Sequence, residues 1–126
     1  MLKQIVFFTK KLWLFFQNRQ NLYRSIMLER AMDFARHNKM EGSYFEFGVY
    51  AGKTFQYAYH AARDRGLKSM RYYALDSFEG FSEPKGHDDI GLITEGTRDC
   101  SEQQFLNNVK RQGVPLSLVT TVKGWF

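Results

Sequence analysis

The residues with chemistry in them gather in the stretch Glu46-Phe47-Gly48-Val49-Tyr50-Ala51-Gly52-Lys53-Thr54. Ser43 to Val49, rich in aromatics and bounded by Gly42 and the Gly52 turn, reads as a short buried strand. Phe55, Ala58, Tyr59 and Ala62 mark one face of a following helix that ends near Gly66. Two glycines thus occupy a turn from strand to helix, where backbone can approach a ligand closely. In a parallel sheet that turn is the usual ligand site. Gly52-Lys53-Thr54 looks like the end of a phosphate loop, which would make the chemistry nucleotide triphosphate hydrolysis. The spacing argues against it, because such a loop needs more residues between its first Gly and the Gly-Lys pair than Val49, Tyr50 and Ala51 provide. A dinucleotide fingerprint fails as well, since Tyr50 stands where its second glycine belongs.

Two acids accompany the turn, Glu46 inside the first strand and Asp76 at the end of a second, Arg71 to Asp76. Each has an ordinary structural reading: Glu46 as a buried acid capping a backbone amide, Asp76 as a turn residue closing its strand. His37, His60 and His87 show no mutual metal spacing, and Asp88 with Asp89 reads as a solvated loop. Cys100, the single cysteine, has no partner for an internal disulfide and reads as a loop thiol, which fits a reducing, cytoplasmic setting.

The elements that must hold these residues alternate. Tyr23, Met27, Ala31, Phe34 and Ala35 recur at helical spacing between Asn21 and Lys39, with Gly42 placed to end the helix. From Ser77 to Cys100 runs a loop of Gly, Pro, Asp and Glu, long enough to serve as a lid or binding loop. Ser101 with Gln104 forms a capping box opening a helix through Phe105, Leu106 and Val109, closed by Gly113. Leu116 to Val122 is the third strand. Strand, helix, strand, helix, strand demands right-handed crossovers and a parallel sheet, so the class is α/β.

Composition bounds the rest. With 126 residues, 44% apolar and 17% aromatic, the chain suffices for one folded domain, and disordered, collagen-like and disulfide-stapled classes are excluded. The net charge of +5 is uneven: residues 1–40 carry eight bases and two acids, residues 41–126 ten bases and eleven acids. The aromatics are not interleaved with a basic patch on the domain, which argues against nucleic acid as a partner. Residues 5–16 form an apolar run split by Lys10 and Lys11, too short for a bilayer span or a signal core. On a helical wheel Lys3, Gln4, Lys10, Lys11, Gln17 and Asn18 gather on one arc, opposite Ile5, Phe8, Leu12, Trp13, Phe15 and Phe16, while Phe7 and Leu14 intrude on the polar arc. Two readings stay open: a peripheral membrane contact through residues 1–20, or a cap packed on the domain. In either, a second helix separates this segment from the first strand.

Glu46, the glycine turn and Asp76, in that order, resemble the class I S-adenosylmethionine-dependent methyltransferases. Glu-Phe-Gly-Val-Tyr at 46–50, Leu-Asp-Ser-Phe-Glu-Gly-Phe at 75–81 with Glu83-Pro84 after it, and Lys-Gly-Trp-Phe at 123–126 look like the macrocin O-methyltransferase branch. The resemblance covers about residues 42–126 and implies a Rossmann-like fold present only in its first half, three parallel strands with flanking helices, behind N-terminal helices over residues 1–41. It implies that Glu46, Gly48, Tyr50 and Gly52, with Lys53 and Thr54 at the helix start, meet S-adenosylmethionine near its methionine end. Asp76 with Ser77 then meets the ribose, a carboxylate offering paired acceptors to a vicinal diol, and Gly124 nears the adenine. It implies further a hydroxylated small-molecule acceptor such as a sugar, and a divalent metal such as magnesium bound outside this chain. No catalytic base or metal ligand is assigned within it. An open first-strand edge, where a fourth strand would pair, would favour homo-oligomers. The competing functional readings are a non-catalytic, truncated binding module and a membrane-surface interaction protein.

Overall fold

The computed structural model describes the backbone of residues 2–82 and 99–126, and the side chains of residues 20–82 and 99–126. A long helix α1 (Leu2–His37) leads into β1 (Ser43–Phe47), α2 (Lys53–Asp64), β2 (Arg71–Asp76), α3 (Glu102–Arg111) and, after a 3-10 turn at Leu116–Leu118, β3 (Val119–Lys123). The strands form one parallel sheet in the order β1-β2-β3, Ser43 opposite Arg71 and Tyr72 opposite Val119.

Two expectations are corrected here. One helix, not two, precedes the sheet: Gln17 to Asn21 are polar but include neither Gly nor Pro, so nothing interrupts the backbone ladder. The third strand starts later than Leu116, because Pro115 lacks an N–H for the ladder and its carbonyl accepts from Leu118 N at 3.0 Å, winding a turn first. The helix ends share one device. Each closes on a left-handed residue with paired reverse hydrogen bonds: Met40 N to Ala35 O, Leu67 N to Ala62 O and Val114 N to Val109 O. Gly66 and Gly113 fill that position in α2 and α3, but in α1 it is Lys39, at φ 53°, instead of the later Gly42.

The core lies on one face of the sheet. Tyr44 and Tyr72 meet Phe55 of α2 edge-on at ring separations of 6.0 and 6.1 Å, and Phe55 in turn meets Phe105 of α3 at 5.3 Å. Ala58, Ala62 and Ala74 fill the space between them. The α3 capping box is formed as the sequence implies, Ser101 Oγ accepting from Gln104 N and Gln104 Oε1 from Ser101 N. α1 docks on α2 through Leu28 and Met32, flanked by Arg65, which donates to both Asp33 oxygens at 2.6 and 3.1 Å. The helical spacing of Tyr23, Met27 and Phe34 is real, yet all three are exposed, and the buried stripe is its neighbour. On the other face of the sheet Phe45, Phe47 and Val122 are exposed, Phe45 stacking on Tyr73 at 4.6 Å.

Candidate functional site

All three strands end on the same side, and there the β1–α2 turn, the turn after β2 and the tail after β3 meet around a cleft of about 370 Å³. The geometry starts from Gly48, whose φ of +77° suits glycine, and a Cβ built there would meet nothing within 4 Å. Its missing side chain leaves open space above the backbone, on the cleft side. Gly52 is different. A Cβ there would lie 2.6 Å from Val109 Cγ1 and 3.0 Å from Phe105, so this glycine lets α3 pack against the start of α2.

Asp76 ties the turns together. Its Oδ2 accepts from Val49 N at 2.8 Å and Tyr50 N at 3.1 Å, and its Oδ1 from Phe78 N at 3.0 Å. These bonds hold two residues in the left-handed region, Tyr50 at φ 45° and Phe78 at φ 57°, a conformation that costs a non-glycine residue roughly 1–2 kcal/mol. A carboxylate has about four acceptor sites. With three filled, one is left, on Oδ1. Ser77 is a turn residue in the same sense, its Oγ donating to Gly80 O and accepting from Glu79 N, both at 3.2 Å. Gly124 N donates to Asp76 O at 2.9 Å, which carries the tail across the end of β2. The cleft walls are largely aromatic: Tyr50, Phe81, Trp125 and Phe126, with Gly80 and Ser82 between them.

Of the residues expected to meet a cofactor, Gly48, Tyr50, Asp76 and Ser77 line this cleft. Glu46 sits deeper, on the helix-covered side of β1, accepting from Tyr44 Oη at 2.7 Å. Burial pushes its carboxyl up to about 7, against the opposing pull of the Tyr44 hydrogen bond and the Arg24 charge. Burial, then the neighbouring Glu46 charge, holds the Tyr44 hydroxyl above its usual range. The partner of Glu46 is thus a phenol, not the backbone amide of the simplest structural reading. Lys53 is exposed and Thr54 half-buried in the first turn of α2, outside the cleft lining, as is Gly52. Of the aromatic wall only Tyr50 carries an expected cofactor contact; Phe81, Trp125 and Phe126 fall in the strings 75–81 and 123–126 without an assigned role.

A wider depression of about 930 Å³ lies beyond Tyr50, between the loop and the polar side of α3, bordered by Asp99 and Cys100. Residues 83–98 lie outside the described part. Glu83, Pro84, His87, Asp88, Asp89 and most of the expected binding loop belong to that same segment. Among the described residues no three His, Cys, Asp or Glu side chains converge as a metal site. Cys100 is buried in the core, and burial raises its thiol, which makes it a poor nucleophile.

No family model matches the chain, and no curated relative does. A solved structure of the O-methyltransferase NovP does match in fold, with a TM-score of 0.61 at 18% sequence identity, over 81% of this chain and 45% of that one. The chain therefore spans under half the length of that structure. Three parallel strands with flanking helices and a cleft at the strand ends form a partial Rossmann-like methyltransferase fold.

Proposed function

We propose that this chain is the cofactor-binding half of an S-adenosylmethionine-dependent O-methyltransferase, in the macrocin branch that acts on hydroxyls of sugars or similar small molecules. The observation that carries the reading is the cleft: open space over Gly48, two turns preformed by Asp76, and ring faces from Tyr50, Phe81 and Trp125. An adenosine-bearing cofactor needs a flat apolar surface for its base and close backbone approach for its polar end. When bound, it supplies a methyl group on a sulfonium, a strong electrophile.

This chain's own contribution is positioning. Asp76 holds both turns in place before any ligand arrives, which removes an ordering cost from binding. Its one remaining acceptor site on Oδ1 suits a single ribose hydroxyl, while a two-point grip on the diol would need a second acceptor such as Ser82. Activation of the acceptor hydroxyl is assigned to no residue here, and the described residues offer no donor set for a metal to do it.

Titration calorimetry with S-adenosylhomocysteine tests the reading. Micromolar binding is expected for the wild type, with loss in Gly48→Ala and weakening in Trp125→Ala while circular dichroism stays unchanged. A folded wild-type chain that binds nothing overturns it.

A further inference from the structure

α1 is longer than its packing partner can use. Its 36 residues span about 54 Å, against about 18 Å for the 12 residues of α2. By length alone α2 can cover at most a third of it. Among the described residues the docking contacts lie toward its C-terminal end, at Leu28 and Met32. Arg65 also engages there, with Asp33 at 2.6 Å and Glu29 at 3.6 Å.

Those two are the only acids in α1, and both are turned to the domain by one arginine. The bases are not neutralised in the same way. Lys3, Lys10, Lys11, Arg19, Arg24, Arg30 and Arg36 all belong to the helix, and among the described residues Arg30 and Arg36 have no ion pair. Beside them the outward surface is apolar, with Leu22, Met27 and Phe34 each more than half exposed. The sequence of residues 2–20 carries Phe7, Phe8, Trp13, Phe15 and Phe16 with four bases and no acid.

We propose that α1 is a surface anchor that lies in the interface of an anionic lipid bilayer, its apolar residues among the acyl chains and its lysines and arginines against the headgroups. Charge complementarity selects the occupant. The positive charge is confined to residues 1–40, the remainder of the chain being close to neutral. A protein groove takes a narrow stripe of anchors. Phe7 and Leu14 fall outside the stripe, on the basic arc, which a fluid interface tolerates and a fixed groove does not. Among the described residues no helix is long and apolar enough to cross a membrane, so the contact is along the surface.

The test uses the full chain carrying Trp125→Phe, which leaves Trp13 as the only tryptophan. Vesicles of about three parts phosphatidylcholine to one part phosphatidylserine should sediment the chain and shift Trp13 emission to the blue. Lys10→Glu with Lys11→Glu should weaken that binding about tenfold or more, and about 0.5 M salt should do the same. Circular dichroism checks that the double variant folds. Equal binding to pure phosphatidylcholine, or binding unaffected by the double variant, overturns the proposal. So does a dimer in sedimentation velocity that shifts Trp13 emission without vesicles, which assigns the helix to a second copy of the chain.

Discussion

The two faces of the sheet are made of similar residues and meet different fates. Tyr44, Tyr72 and Ala74 point to the helices and join a core in which Phe55 and Phe105 have no exposed surface. Phe45, Phe47, Tyr73, Leu75 and Val122 alternate with them along the same strands, and among the described residues no helix lies over them. Phe47 is 61% exposed and touches Phe126 edge-on at 5.5 Å. Parallel strands are normally buried on both sides, which is why their sequences read as nearly continuous apolar runs. The difference between the faces teaches that the strands are written for two layers, of which the described residues form one.

The comparison can be broken most directly at Phe55. Phe55→Ala should cost about 3–5 kcal/mol in urea unfolding, by loss of buried area and the cavity it leaves. If the cost were under about 1 kcal/mol, the covered face would not be the core.

Glu46 sharpens the picture within that face. Its folded carboxyl, pushed up to about 7, holds a proton that the unfolded chain releases near 4.5. The folded state therefore binds more protons between those values, and stability should be highest below about 4.5 and fall by up to about 3 kcal/mol as pH rises through 7. Glu46→Gln should flatten that slope in denaturation series run at several pH values.

The glycines divide next. Gly52→Ala should destabilise by about 2 kcal/mol, since the added methyl group meets Val109 and Phe105 in a left-handed backbone. Gly48→Ala, with open space but the same backbone sign, should cost about 1 kcal/mol in melting while removing the proposed cofactor binding. The smallest effect belongs to the open face, where Phe45→Ser should change stability by about 0.5 kcal/mol or less and raise solubility.

The second strand and the α3 cap were legible because local chemistry decides them. Arg71–Asp76 is bounded as its residue pattern implies, and the Ser101/Gln104 pair needs nothing beyond its own turn. What escaped depends on neighbours far along the chain. Helical spacing finds the Tyr23, Met27, Phe34 stripe but not which side of α1 meets α2, and Leu28 and Met32 win that contact with Arg65 closing it. Likewise two glycines in one turn look alike until Val109 arrives behind Gly52 and nothing arrives above Gly48. Asp76 closes β2, as its residue pattern implies, and its bond from Phe78 N is local, but the other two amide bonds come from Val49 and Tyr50 in the turn after β1, which no local rule announces.

The parallel order of the strands also sets a sequence of events in time. Ser43 waits for Arg71, and Tyr72 for Val119, so each strand pair forms only after a crossover has closed, a slow step compared with winding a helix. α1 needs no distant partner to begin winding, and it leaves the ribosome before the strands do. If α1 docks on a bilayer as proposed, attachment would precede completion of the cleft.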